Sequence, residues 1–211
     1  MIVDMPLKKQ IPIYILGLFV MAFGVVLIRK AELGMSPISA IPAAIANITP
    51  FTLGNASIGF HVLCIILQLI LVRKITIKTV LLLPLAVAFG YIIDLYMFVL
   101  DIGAIAYWHR IVLSLFGIVF TALGIVIIVS VNLMLPAPDA FLLAASRHFN
   151  RPLSRVKITG DIIWVFVAAI IEFFYMGTIV SVGIGTLISM YLTGKLVGVF
   201  KKHLPWIREL S

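Results

Sequence analysis

Six apolar runs, at about 11–30, 55–72, 78–99, 110–131, 156–175 and 179–200, leave this chain few folds to choose from. A helix needs about 20 mostly apolar residues to cross the hydrocarbon core of a bilayer. In lipid the backbone must satisfy its own hydrogen bonds, so runs of that length are helices. Composition agrees: 63% of the residues are hydrophobic and 11% are charged, where globular domains carry about 25% charged residues. A core built from 211 residues cannot hide that much apolar surface, which excludes a soluble enzyme or binding module. The first run leads into a multi-span chain without a small-residue cleavage site, so no cleaved signal peptide is expected. Cys64 is the single cysteine, and no disulfide framework is possible within the chain.

The chain also repeats itself at an offset of about 100 residues. Gly17-Leu-Phe-Val-Met-Ala-Phe-Gly24 and Leu33-Gly-Met-Ser-Pro-Ile-Ser-Ala40 return as Gly117-Ile-Val-Phe-Thr-Ala-Leu-Gly124 and Leu133-Met-Leu-Pro-Ala-Pro-Asp-Ala140. The register holds to Ile70/Ile170. Glycines seven apart share one helix face, where small residues let two helices approach closely. After each Pro-containing turn comes a shorter apolar stretch, about 37–48 and 138–149, too short to cross a bilayer. These stretches are expected to be re-entrant or interfacial helices.

Lysine and arginine positions orient the spans. With a cytoplasmic N-terminus, twelve of them face the cytoplasm, from Lys8 and Lys9 to Lys201, Lys202 and Arg208. Only Arg29, Lys30 and Arg110 fall outside, and Lys195 lies within the last run. That bias predicts cytoplasmic N- and C-termini, and it assigns the net charge of +8 to anionic lipid on the cytoplasmic side rather than to nucleic acid. Three crossings per repeat turn the second copy upside down. The expected architecture is all-α: six transmembrane helices as two inverted three-helix repeats, residues 1–104 and 105–211.

Leu18, Gly24, Leu27, Ala31, Leu33, Gly34, Ser36 and Pro37, with Gly90-Tyr-Ile-Ile-Asp94 and, in the second half, Asn132-Leu133, Asp139 and Arg155, form a recognisable pattern. It resembles the YczE/YyaS-like family of bacterial integral membrane proteins over about residues 11–200. Ser39 stands where that family's first Asp would be, and Pro136-Ala137-Pro138 replaces its G-P-x. The resemblance implies a polytopic protein of the bacterial plasma membrane and implies no substrate.

Candidate binding residues sit at the two turns. Ser36, Pro37 and Ser39 open the first short helix, and Pro138 and Asp139 open the second; a helix start offers free amides and a positive dipole end. An intramembrane carboxylate such as Asp139 is costly and marks a functional position by default. The bland alternative is a simple helix cap. Asp94, His61, Asp161 and Glu32 are candidates for a proton or charge relay. His61 and Asp161 occupy equivalent repeat positions, as do Glu32 and Asn132. Asp94 is expected to pair structurally with Arg29, Lys30 or Arg110.

No catalytic constellation, metal-ligand spacing, cofactor motif or G-x-x-x-x-G-K-[ST] loop is present. The expectation is therefore not an enzyme, with no metal and no cofactor. It is a secondary transporter of a small organic solute that works by alternating access, with a proton as candidate coupling ion and a homo-oligomer as a compatible state. The alternatives are a passive channel, and a non-transporting membrane factor that assists a partner complex.

Overall fold

The computed structural model describes residues 7–103 and 106–203. Arg208, the two chain ends and the expected repeat boundary at 104/105 lie outside the described residues. The described residues form eight helices and no strand: α1 Leu7–Ala31, α2 Pro37–Ile48, α3 Leu53–Val72, α4 Ile77–Val99, α5 Tyr107–Ser130, α6 Ala137–His148, α7 Leu153–Met176 and α8 Ile184–His203. Five of them, α1, α3, α4, α5 and α7, are long and apolar enough to cross a membrane. Their flanks present large apolar side chains outward, among them Leu16, Ile66, Ile70, Phe116, Phe166 and Phe173. Such a surface suits lipid and would be insoluble in water. The described residues thus make an all-helical protein whose apolar helices are compatible with several membrane crossings.

The sixth run differs most from expectation. The sequence predicts a helix over 179–200, but α8 starts at Ile184 and runs to His203. It carries Lys195, Lys201 and Lys202 and is not among the five helices that meet the crossing criterion. The residues before it are taken up by a turn with a different task, described below.

The glycines of the repeat account for the central seam. Helices α1 and α5 run antiparallel, with Gly17 against Ile128, Gly24 against Thr121, Gly117 against Ile28 and Gly124 against Met21. A Cβ at Gly24 would lie 2.4 Å from the Thr121 backbone nitrogen, and one at Gly124 would lie 2.5 Å from the Met21 nitrogen. Only glycine permits this approach. Around the seam, Ala22, Val26, Ile118 and Ile128 are fully buried.

Each short helix lies against the long helix of the opposite half: α2 packs on α7, and α6 on α3. The flanking contacts stay within each half and correspond in the two, α4 on α1 and α8 on α5. Ala40, Ile41 and Ala44 of α2 and Ala137 of α6 share one buried cluster with Phe60 and Cys64 of α3 and Trp164 and Ala168 of α7. The two 12-residue helices are therefore interior elements, each about 18 Å long. They do not lie on the surface.

Helices α1 and α5 end alike. Glu32 and Asn132, equivalent in the repeat, take left-handed backbone conformations with φ of 53° and 49°. Asn tolerates that region readily, whereas a non-Gly, non-Asn residue there is uncommon. At Glu32 the side chain is held by an ion pair to Arg110 on α5, 2.8 Å away.

Candidate functional site

Two polar groupings and one large cavity stand out from the apolar interior. The first grouping is built around Glu172, near the end of α7, whose side chain is entirely buried. An isolated buried carboxylate costs several kcal/mol unless its oxygens are satisfied. Here Asn47 of α2 donates its Nδ2 to Glu172 Oε1 at 2.6 Å. The Val180 amide donates to Oε2 at 2.8 Å, and the Ser181 amide donates to both oxygens at 2.8 and 3.1 Å. The Asn47 carbonyl oxygen in turn accepts from the Arg29 guanidinium of α1. One carboxylate thus ties together α1, α2, α7 and the turn leading into α8.

That turn also docks on the first Pro-containing turn. The Met35 amide donates to the Ser181 carbonyl at 2.8 Å, and the Gly185 amide to the Leu33 carbonyl at 2.7 Å. Gly34, at φ +100°, meets Gly183 and Thr186 so closely that a Cβ would fall 2.4 Å from the Gly183 nitrogen. A side chain at position 34 would be strained by its backbone and blocked by its neighbour. Residues 177–183 are therefore clamp rather than helix, which is why α8 starts late.

Beside this network opens a cavity of about 720 Å³. Arg29, Lys30, Glu32 and Arg110 supply its charged groups. Ile28, Met35, Met97, Ile102 and Val180 supply apolar wall. Its size falls in the range of small-molecule sites, about 300–1,000 Å³. The cavity reaches Gly34 and Met35, directly ahead of Ser36.

The second grouping lies at the other end of α7. Lys157 Nζ stands 3.2 Å from Asp139 Oδ1 of α6 and 3.3 Å from Asp161 Oδ1, one turn along its own helix. Lys157 and Glu172 are fifteen positions apart, which separates the two groupings by about 22 Å along the helix axis. His61 is buried and stacks on Phe89 of α4, with ring centroids 5.5 Å apart and planes within 7°. Tyr14, His61, Phe89, Pro136 and Ala137 border a void of about 10 Å³, enough for one water.

The residues singled out in the sequence fall into three places. Asp139 and Asp161 meet on Lys157, and His61 borders the small void beside Pro136 and Ala137. Glu32 lines the large cavity. Ser36, Pro37 and Ser39 lie at the start of α2, where the Ser36 hydroxyl donates to the Ser39 hydroxyl at 3.1 Å. Ser36 occupies the N-cap position of α2 without a side-chain cap bond. The residue at the α6 N-cap is Pro136, with Pro138 in the first turn, and the Asp139 carboxylate serves Lys157. Neither turn is a side-chain cap. None of Ser36, Pro37, Ser39, Pro138 and Asp139 is among the residues lining the large cavity.

Asp94 has structural partners, none of them a cation among the described residues. It accepts from the Thr52 hydroxyl at 2.6 Å and from the Gly54 amide at 2.8 Å, clamping the end of α4 to the start of α3. Arg110, one of its expected partners, pairs with Glu32 instead.

Sequence reasoning passed over Glu172, Asn47 and Lys157. Glu172 carried a usable signal, a lone acid within an apolar run. In the sequence Lys157 is one more cytoplasmic charge, and Asn47 gives no sign of its role until α2 is seen against α7.

A family model described as a family of unknown function (DUF6198) matches residues 8–202. The chain belongs to that family. The matched span of this DUF6198 member contains both polar groupings and every residue lining the large cavity. No curated protein and no solved structure matches the chain.

Proposed function

We propose that this protein is a secondary transporter of a small organic solute, working by alternating access in the bacterial plasma membrane. The observation that carries the reading is the placement of α2 and α6. Both are short helices buried between α3 and α7, with a solute-sized cavity beside the first of them. Irregular or half-length helices at membrane depth are tolerated where they are buried in protein or line a cavity, and transporters built from repeats use them to hold substrate.

In this reading α8 is the sixth crossing and the two halves are inverted repeats. The antiparallel α1–α5 seam and the exchanged contacts of α2 with α7 and α6 with α3 support that relation. So does the likeness to the YczE/YyaS-like proteins. Counting lysines and arginines puts the Arg29 end outside and the Lys157 end in the cytoplasm. The conformation is then open outward, with the Asp139–Lys157–Asp161 cluster as the closed cytoplasmic side. Solute entering past Arg29 and Lys30 reaches the turn at Ser36 and Ser39, and rearrangement of α2 and α6 passes it on to Pro138 and Asp139. Asp139, released from Lys157 in the opposite state, is the group placed to take the coupling proton, with His61 and Asp161 nearby.

Single cysteines in a Cys64→Ala background test this. Replacing Ile102 in the cavity or Pro138 at the second turn, and labelling intact cells with a membrane-impermeant thiol reagent, should modify position 102 and spare 138. Inverted vesicles supplied with transported solute should show modification at 138. Equal labelling of both positions from one side would indicate a pore and overturn alternating access.

A further inference from the structure

We infer that the large cavity is a binding site for a small organic monoanion, one acidic group on an apolar body, held by Lys30 and Arg29. As a statement about substrate this rests on the transporter reading; as a statement about binding it stands on the cavity. Three cations and one carboxylate line the wall: Arg29, Lys30, Arg110 and Glu32. Arg110 is matched by Glu32 at 2.8 Å. Arg29 is matched by Glu172, to which the Asn47 amide joins it by two hydrogen bonds. Asn47 is oriented so that its oxygen meets the guanidinium and its nitrogen meets the carboxylate, so Arg29 does not touch Glu172 directly.

Lys30 is left over. It is half-buried, and no carboxylate pairs with it among the described residues. Among the described residues the cavity therefore holds one positive charge in excess, on an ammonium with three donors, next to a guanidinium whose one hydrogen bond goes to a neutral amide. A half-buried cation is stabilised by an anion that shares its site, and charge-assisted hydrogen bonds are stronger than neutral ones. The excess of one charge selects a monoanion over a dianion. Ile28, Met35, Met97, Ile102 and Val180 give the rest of the ligand an apolar lining, and the two methionines can adapt to its shape.

The test is binding by the purified full chain in detergent, with benzoate and hexanoate as monoanion probes, benzamide as the neutral match and succinate as the dianion. Benzoate or hexanoate should raise the thermal midpoint saturably, and benzamide should not. Lys30→Gln should weaken that binding about tenfold or more, the worth of one charge-assisted contact, and Lys30→Arg should restore most of it. Equal effects of benzoate and benzamide, tighter binding of succinate, no saturable binding of either monoanion, or unchanged binding by Lys30→Gln would each overturn the inference. The two readings fail separately. Anion binding without flux of any solute in liposomes would sink the transporter and keep the site. Saturable flux of neutral solutes with no anion binding would do the reverse.

Discussion

Gly24→Ala tests whether the α1–α5 seam is what fixes the relation of the two halves. The added methyl carbon would sit 2.4 Å from the Thr121 nitrogen, 2.5 Å from its hydroxyl oxygen and 2.6 Å from the Gly117 carbonyl oxygen. Two of those atoms are backbone, so no rotamer change clears them. Ordinary contacts begin near 3.4 Å, and α5 has to retreat by roughly 1 Å along a seam that is otherwise close-packed. Overpacking of this kind costs about 1–3 kcal/mol. Alanine returns at most about 1 kcal/mol through its better helix propensity. The net expectation is a loss of about 1–2 kcal/mol, read as a lower midpoint when the detergent-solubilised protein is heated and assayed by size-exclusion chromatography. Gly194→Ala is the control. No atom lies within 4 Å of a Cβ there, so the same substitution should be neutral or mildly stabilising. If Gly24→Ala and Gly194→Ala melt alike, the seam is not the tight contact described, and the reasoning fails.

Other substitutions separate the remaining elements. Glu172→Ala strands the Asn47 side-chain amide and the Ser181 amide, the latter in a fully buried residue, and should cost about 3 kcal/mol; Glu172→Gln, which keeps an acceptor, should cost less in the same melting assay. Lys157→Met leaves Asp139 and Asp161 as uncompensated neighbours and should lower stability by about 1 kcal/mol, given partial exposure of the cluster. Adding Asp139→Asn and Asp161→Asn should recover most of that loss, and failure to recover would show that the three do not act as a unit. Asp94→Asn should cost about 1 kcal/mol through weaker capping of α3, seen as faster hydrogen exchange at Gly54 and Asn55.

Helix positions were largely legible in the sequence. Five of the expected runs correspond to α1, α3, α4, α5 and α7 within a few residues, and the first short stretch matches α2, Pro37–Ile48. Charges and prolines mark those ends, and lipid forbids any other regular structure between them. The Gly17/Gly24 and Gly117/Gly124 spacing pointed to a helix contact, and the seam is where they meet. The start of α8 was not legible. Residues 177–183 look apolar enough to be helix, and only the burial of Glu172 shows that their amides are needed as donors. The candidate site divides in the same way. Asp139 and Asp161 stood out as acids in an apolar background, but Lys157, which joins them, reads as an ordinary positive charge at a helix start. Asp94 was expected to meet a cation and meets Thr52 and Gly54, because α4 packs on α3 with its far end at the α3 N-terminus. Pairings across the two halves depend on which short helix lies against which long one, and a single sequence does not contain that.

Counterflow in liposomes tests the central claim most directly. Purified protein is reconstituted, vesicles are loaded with a high concentration of an unlabelled organic monoanion, and uptake of a trace of the labelled compound is followed after dilution. An alternating-access carrier exchanges one for the other, so label should accumulate transiently above its equilibrium level, saturably with solute and less so with Lys30→Gln. Label that only approaches equilibrium, or that enters no faster than in protein-free vesicles across a panel of anionic and neutral solutes, would contradict the account.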